Sequence, residues 1–269
     1  IRAGQGAGPW SGGTTIVQAG SWGEYVGRAV IALADGRPNA ISDRLLPVRP
    51  GDGEDASIAA MLRPIADSVR AATGGLVFVA KARVEPPDRN DVESPLGNFA
   101  ADVLREAGRA DVAVMNIGGI RAPIPKGPVT VGDLMSVFPF SNDVVVVPMT
   151  GDRLRGLLDF VARRVGKRGY AFVSGVAFDI RGDRAANIRV AGRSIEGSRV
   201  YRVATIDFLY EGGDGYVAFR KAGEAEATGV SLLDAAIAFL RRHPDYAFRK
   251  DGRVVWEGGT ERMRGIPGG

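Results

Sequence analysis

Cysteine is absent from this chain of 269 residues, and only one histidine is present, His243. The absence of cysteine excludes disulfide bridges and thiolate chemistry. A hydrolase with two metal ions needs several imidazoles together with carboxylates to hold the ions and polarise a water molecule. One histidine cannot supply them, so we expect no metal site and no metal-dependent catalysis from this chain alone. His243 precedes Pro244 at the predicted end of a helix, where we expect a cap or surface residue rather than a metal ligand.

Long apolar runs and dense basic blocks are also lacking. No run approaches the ~18 apolar residues that a membrane-spanning helix requires, so no membrane span is predicted. The formal net charge of +4 comes from basic residues spread along the chain. Nucleic-acid-binding surfaces usually combine a basic block with aromatic residues, and this sequence has no such block. We therefore expect no nucleic-acid partner.

Strand and helix patterns fill most of the chain, which is 45% hydrophobic and 25% charged. Short β-branched apolar runs predict strands, and apolar residues at i, i+3 and i+4 spacing predict amphipathic helices. Strands are expected from Thr14 to about residue 48 and at residues 76–84, 112–115, 144–147, 171–180, 186–190 and 199–206. Helices are expected at residues 55–73, 94–107 and 231–242 and after Thr150. The mixture predicts an α+β fold in which helices are layered on mixed β-sheets.

Capping residues locate the starts of three of these helices. Asp55, Ser94 and Thr150 are predicted N-caps, and a proline follows Ser94 at the first helical position. The helix after Thr150 also carries basic residues that are expected on its solvated face. These are Arg153, Arg163, Arg164, Lys167 and Arg168.

A ligand site is indicated where the predicted strand at residues 112–115 ends. Asn116 is followed by two adjacent glycines, Gly118 and Gly119, and then by Arg121. Adjacent glycines let a ligand approach the backbone N–H groups closely. The planar guanidinium of Arg121 suits a carboxylate, a phosphate or a flat polar ring. The alternative is a plain turn between a strand and a loop.

A second indication comes from Phe138-Pro139-Phe140, which precedes the strand at residues 144–147. Two aromatic rings around a stiff proline predict a flat aromatic surface, or shelf, beside Asn116 and Arg121. The alternative is that both rings belong to the core. Polar side chains and aromatic rings beside the ends of two buried strands predict a site for a flat, polar ligand.

The motifs in this region resemble those of the 5′-nucleotidase family, which includes nucleotide and UDP-sugar hydrolases. Asn-x-Gly-Gly-Ile-Arg at residues 116–121, Thr-Val-Gly-Asp-Leu at 130–134 and Pro-Phe-x-Asn at 139–142 are similar to the family's C-terminal domain. The segment 207–216, Asp-Phe-Leu-Tyr-Glu-Gly-Gly-Asp-Gly-Tyr, is similar to the second hallmark of that domain. Residues 16–28 resemble the closing strands of the family's N-terminal metallophosphatase domain.

The resemblance implies a division of the chain into four parts. We expect a flexible tail at residues 1–13, the last strands of a metallophosphatase domain at 14–54, a linker helix at 55–74 and the nucleotide-binding domain at 75–265. In the family, the closing strands follow the last metal-binding histidine motif, so we expect the metal-binding part of the protein to be missing from this sequence.

The resemblance also implies a nucleoside site. Phe140 and Phe208 would stack on the two faces of the base, a contact of about 1–3 kcal/mol per base. Asp214 would accept hydrogen bonds from the ribose, and Asn116 and Arg121 would supply donors. The expected substrate-binding residues are Asn116, Gly119, Arg121, Phe140, Phe208, Asp214 and Arg89.

Arg89 departs from the family's pattern. It lies near the place of one or two nucleotide-contacting arginines that precede Gly97-Asn98, but at a shorter spacing. Glu93 stands where a basic or neutral residue is expected.

The function implied is the nucleoside-binding portion of a 5′-nucleotidase-like phosphoric ester hydrolase. Two divalent metal ions would be held by the missing N-terminal metallophosphatase domain, and this chain would hold no cofactor. Its partners would be that domain and a nucleoside or nucleotide. The family implies a periplasmic, secreted or cell-surface location.

Two alternatives remain open. The first is a stand-alone, non-catalytic nucleoside- or nucleotide-binding module, which a gene starting near Ile1 would favour. The second is a related hydrolase of cyclic nucleotides, UDP-sugars or a sulfur compound, since one scaffold hosts several substrates. Upstream Asp-x-His, Gly-Asn-His-Glu and Gly-His-x-His motifs in the gene would favour an enzyme.

Overall fold

The computed structural model of the chain describes residues 8–9, 16–20, 23–49 and 51–256. The chain divides into two compact units between residues 67 and 68.

The first unit contains a three-stranded antiparallel sheet. Its strands are β1 (Gly8–Pro9), β2 (Tyr25–Ala34) and β3 (Arg37–Pro47), in the order β1-β3-β2. The strand predicted from Thr14 is wrong for residues 16–20, which form no strand. Of the predicted tail, Gly8–Pro9 pairs with β3, and the rest, like Thr14, lies outside the described residues. Among the described residues of this unit, no hydrophobic side chain is buried.

Helix α1 (Ala56–Thr73) begins in the first unit and runs into the second. Its N-cap is Asp55, as predicted, because the Asp55 carboxylate accepts hydrogen bonds from the backbone N–H groups of Ser57 and Ile58 at 2.9 and 3.1 Å. The helix continues through Pro64, and no residue of it is buried.

The second unit holds most of the regular structure. Its strands are β4 (Leu76–Ala80), β5 (Val112–Asn116), β6 (Gly127–Thr130), β7 (Asp143–Thr150), β8 (Ala171–Ser174), β9 (Val176–Arg181), β10 (Arg184–Val190), β11 (Arg193–Ser194), β12 (Val200–Ile206), β13 (Glu226–Ser231) and β14 (Val254–Trp256). Its helices are α2 (Pro95–Ala107), α3 (Val131–Val137), α4 (Gly151–Arg163), α5 (Asp207–Tyr210), α6 (Ala218–Ala222) and α7 (Leu232–Arg242), with short 3₁₀ turns at Ile117–Gly119 and Gly213–Gly215.

The strands of this unit form three sheets. The five-stranded sheet has the order β13-β7-β12-β5-β8, the four-stranded sheet β11-β10-β9-β14, and β4 pairs with β6. β12 runs parallel to β5, and β14 parallel to β9, whereas the other pairs are antiparallel. The sheets are therefore mixed, and the predicted α+β fold of helices on mixed sheets is confirmed.

The single strand predicted at residues 171–180 is two strands that belong to different sheets. Gly175 separates β8 from β9 and has a φ of +73°. A Cβ there would clash with the backbone carbonyl oxygen of Asp111 and approach Arg105 Cδ at 2.7 Å. Gly175 therefore makes the corner between the two sheets.

The core lies where α2 packs on β5, β8 and α7. Ser94 caps α2 as predicted, because its hydroxyl oxygen accepts a hydrogen bond from the Gly97 backbone N–H at 3.2 Å. Thr150 is at the N-cap position of α4, but its side chain makes no capping hydrogen bond. Gly97 contacts the ring of Phe172, where a Cβ would overlap the ring carbons. This glycine brings α2 close to the sheet.

Two acidic residues, Glu93 and Asp102, join the region around α2 to residues 251–253. Glu93 is 5% exposed and accepts hydrogen bonds from Asn98 Nδ2 at 2.7 Å and from the Gly252 backbone N–H at 3.1 Å. Asp102 on α2 pairs with Arg253 at 2.7 Å, and both side chains are largely buried. Glu93, which interrupts the family's pattern of basic or neutral residues, thus has a structural role.

Within the described ranges, none of the helices combines the length and the apolar character needed to cross a membrane.

Candidate functional site

Four loops that carry or support the predicted site residues lie at one edge of the five-stranded sheet. This edge is formed by the ends of the strands and not by an outer strand. β5 and β12 are parallel, while β7 and β8 run antiparallel to them, so the carboxyl ends of the first pair share an edge with the amino ends of the second. Ile206 pairs with Val144, and Asn116 pairs with Ala171, at this edge. The loops here span residues 117–121, 138–142, 164–170 and 207–216.

One acidic group at this edge is Asp214, in the 3₁₀ turn Gly213–Gly215. Its φ of 52° and ψ of 14° lie in the left-handed region, which aspartate tolerates better than most residues. Asn116 Nδ2 donates a hydrogen bond to Asp214 Oδ2 at 2.7 Å. Asn116 is 3% exposed, and its Oδ1 has no partner within the described part of the chain. Asn116 therefore orients the carboxylate from a buried position.

Arg164 supports the same turn, so its predicted place on a solvated face is wrong. Its Nη2 donates to the backbone carbonyl oxygen of Asp214 at 3.1 Å, and its Nη1 to that of Arg168 at 3.4 Å. The guanidinium carbon lies 4.7 Å from the centroid of the Phe160 ring, within cation–π range. A Cβ on Gly215 would be 2.7 Å from Nη2, so this glycine gives the guanidinium room.

Two buried tyrosines fix the surrounding loops. Tyr170 donates from its hydroxyl to the carbonyl oxygen of Val92 at 2.7 Å, and Tyr216 donates to that of Gly169 at 2.9 Å. Burial raises the pKa of both hydroxyls above the ordinary value of 10.0, and nearby acidic groups add to the rise. Both hydroxyls therefore stay protonated and act as donors that join separate loops.

The aromatic residues at the edge differ in exposure. Phe138 is 2% exposed and packs against Phe99 with ring centroids 6.3 Å apart, so the prediction of a two-ring shelf is wrong for Phe138, which belongs to the core. Phe140 is 50% exposed and Phe208 is 44% exposed. A Cβ on Gly213 would lie 2.5 Å from two ring carbons of Phe208. Gly213 thus makes room for that ring.

The other predicted site residues lie on the same loops or beside them. Arg121 is exposed, and its backbone N–H donates to the Val137 carbonyl oxygen at 2.9 Å. Gly119 is buried, and a Cβ there would overlap Met115 Cε. Arg89 is exposed in the loop before α2. The structure brings Asn116 and Asp214 into contact and leaves Arg121 and Arg89 on separate loops.

The ionisable groups of the described residues do not fit a metal centre. No three histidine, cysteine or carboxylate side chains cluster suitably there. His243 is the C-cap residue of α7, as expected, and its Nε2 lies 2.8 Å from Glu106 Oε2. Arg242 binds the other oxygen of Glu106 at 2.7 Å. The single histidine is therefore held by Glu106 beside Arg242, at the end of α7.

Comparison with known proteins gives a consistent result. The family model described as "5'-nucleotidase, C-terminal domain" matches residues 76–221. The solved structure of a 5′-nucleotidase precursor from Thermus thermophilus superposes with a TM-score of 0.72 at 29% sequence identity, covering 89% of this chain and 51% of that one.

Sequence relatives extend the match beyond that domain. "Protein UshA" from Yersinia enterocolitica is 32% identical over 270 residues, covering 91% of this chain and 49% of the relative. A "5'-nucleotidase" from Vibrio cholerae is 32% identical over 225 residues, covering 76% and 40% respectively. The chain thus spans about half the length, or less, of these relatives.

Proposed function

This chain belongs to the 5′-nucleotidase family, whose C-terminal domain it carries at residues 76–221, and from this premise we propose that it binds the nucleoside part of a nucleotide. The binding place is the edge of the five-stranded sheet where Phe140, Phe208 and Asp214 lie. The chain is then the substrate-binding portion of a hydrolase that removes phosphate from nucleotides.

The observation that carries the proposal is the exposure of two phenylalanines at one sheet edge. Phe140 precedes β7 and Phe208 follows β12, and these strands pair antiparallel, so the loops that carry the two rings leave the sheet at the same edge. The two side chains are 50% and 44% exposed. A single exposed apolar side chain is ordinary, but two on loops that share an edge with an oriented carboxylate suit a flat ring that carries a polar sugar. Stacking on such rings contributes about 1–3 kcal/mol per base.

The polar groups divide into two roles. Asp214 accepts from the ribose hydroxyls, since Asn116 occupies only its Oδ2. Arg121 is exposed and supplies donors to the base or the sugar. Asn116 is buried, so its role is to position Asp214 rather than to touch the ligand.

Catalysis would rest on a second domain that binds metal ions. We place the two divalent metal ions in a metallophosphatase domain outside this sequence, because one histidine is too few for such a site. There they would polarise the phosphate and activate water. Residues 14–54 are then the last strands of that domain, and residues 55–74 the linker. A periplasmic, secreted or cell-surface location forms part of this proposal.

Titration of adenosine into the 269-residue chain tests the binding role. Phe140→Ala and Phe208→Ala should each weaken binding by about 1–3 kcal/mol, with little loss of stability because the rings are exposed. Asp214→Asn should instead reduce the preference for adenosine over 2′-deoxyadenosine, since an acceptor for the sugar is lost. Val200→Ala is the matched control, because Val200 is 58% exposed at the opposite end of β12 and should leave binding unchanged.

Two results would contradict the proposal. One is the absence of saturable binding of adenosine or AMP. The other is a loss of folding stability of about 3–5 kcal/mol in the phenylalanine variants, which is typical of core positions.

A further inference from the structure

A cleft of about 430 Å³ lies between α4 and residues 215–221, on the α4 side of the turn that holds Asp214. Its α4 wall is formed by Arg153, Gly156, Phe160 and Arg163. These residues recur at spacings of three and four, so they share one face of the helix. The cleft is therefore shaped by a continuous helical surface.

The rim of the cleft is basic. Arg153 and Arg163 lie on the α4 side and Lys221 on the opposite side, and no lining residue is acidic. Arg153 Nη1 donates to the carbonyl oxygen of Ala222 at 3.0 Å, which ties α4 to the end of α6. Three cationic groups around one opening favour an anion.

The carboxylates of α4 do not neutralise this rim, because their partners lie elsewhere. Asp152 lies against Gly197, in the segment between β11 and β12. Asp159 accepts a hydrogen bond from the Ala185 backbone N–H, on β10, at 2.8 Å. Both carboxylates therefore face elements other than α6.

The floor of the cleft is formed at Gly156, where the helix itself does not require a glycine. Gly156 lies inside α4, where glycine is among the least favourable residues. A Cβ there would meet nothing within 4 Å, and its φ is not in the left-handed region, so neither close packing nor a turn explains it. The missing side chain leaves the floor open beside Phe160 and Val217, which is 53% exposed.

We propose that this cleft binds an organic anion with a flat apolar body, of which an aryl phosphate is the simplest example. The apolar body would lie over Gly156 beside Phe160, and the anionic group would face Arg163 and Lys221. The inference does not depend on nucleoside binding at the sheet edge.

The test is an NMR titration of the 269-residue chain with phenyl phosphate. We expect saturable shifts of backbone amides in residues 153–163 and 215–221, with a dissociation constant on the order of 1 mM. Inorganic phosphate and phenol should each bind at least about tenfold more weakly, because each supplies only one of the two contacts. Gly156→Leu should abolish binding by filling the floor.

Charge variants complete the test. Arg163→Ala combined with Lys221→Ala should weaken binding about tenfold or more, whereas Arg241→Ala, at the matching end of α7, should have no effect. A global change in the amide spectrum of the Gly156→Leu variant would show that this substitution disturbs the fold. In that case the charge variants alone decide whether the cleft binds phenyl phosphate. Phe208→Ala should leave phenyl phosphate binding intact.

Several results would overturn the proposal. These are no saturable shifts with phenyl phosphate, equal affinity for inorganic phosphate, or unchanged binding in the charge variants. Loss of binding in the Phe208→Ala variant would place the probe at the sheet edge instead.

Discussion

Gly213 lies against the ring of Phe208, where a larger residue would overlap both the ring and the backbone. A Cβ would be 2.5 Å from Phe208 Cε1, Cζ and the carbonyl oxygen. Gly213→Ala should therefore lower the free energy of unfolding by about 1–3 kcal/mol, as overpacking does, and weaken nucleoside binding by displacing the ring. Urea unfolding and adenosine titration measure the two effects.

The same substitution at Gly156 is the matched control. Gly156→Ala meets open space within a helix, so it should raise the free energy of unfolding by up to about 1 kcal/mol. Equal effects at the two positions would contradict the proposed contact between Gly213 and Phe208.

Glu106 provides a prediction about pH. Partial burial acts to raise its pKa, but hydrogen bonds from Arg242 and His243 outweigh this and lower the pKa below the ordinary 4.5. A carboxyl whose pKa is lower in the folded chain stabilises the fold above its unfolded pKa, and that contribution is lost as the pH falls through the folded pKa. Glu106→Gln should thus lower the free energy of unfolding by about 0.2–1 kcal/mol at pH 7, and by progressively less below pH 4.5.

Urea unfolding at several pH values between 7 and 3 checks this, with Glu211→Gln, a change at an exposed residue, as the control. A destabilisation by Glu106→Gln that stays constant or grows in acid would contradict the assignment.

At this scale the sequence reveals the motifs but not the contacts between their residues. Asn116 and Asp214 were recognisable by their motifs, but their contact spans 98 positions and depends on strand order. Arg164 carries no signal that separates it from the neighbouring basic residues, because only the fold places Asp214 beside it. Phe138 and Phe140 look alike in sequence, yet Phe138 is buried in the core and Phe140 is exposed.

At the scale of elements, the β2–β3 hairpin is the part with the least internal support. Every residue of β2 is exposed, and no hydrophobic side chain in the described part of the first unit is buried. Segments with few buried apolar contacts open at low free energy. Amide hydrogen exchange should therefore show β2 and β3 exchanging well before β5 and β7, whose central residues are buried. Equal protection of all four strands would mean that the hairpin is stable by itself.

Most helices and strands of the second unit were predictable because their apolar periodicity and caps are local properties. Two of the exceptions are decided by contacts distant in sequence. Gly175 ends β8 and starts β9 because the backbone near Asp111 leaves no room for a side chain, and no local pattern reveals this. The strand predicted at residues 76–84 ends at Ala80, although Val84 still pairs with Ile124.

At the scale of the whole molecule, we expect the 269-residue chain to release no phosphate from AMP, even with added Mn²⁺, Zn²⁺ or Co²⁺. The reason is that its one histidine is held by Glu106, and the described carboxylates form no metal-binding cluster. A phosphate-release assay measures this, and adenosine binding by the same sample shows that the chain is folded. Clear metal-dependent release would contradict the prediction.

The link from Glu93 and Asp102 to residues 251–253 has a consequence for synthesis on the ribosome. A chain emerges from its amino end, so α2 and β5 are exposed about 150 residues before Arg253 is made. Until then the Asp102 carboxylate lacks the guanidinium that neutralises it, and Glu93 lacks the backbone donor of Gly252. Burying either acid without these partners is unfavourable. We therefore expect the region around Glu93 and Asp102 to reach its final packing only after residues 251–253 have emerged.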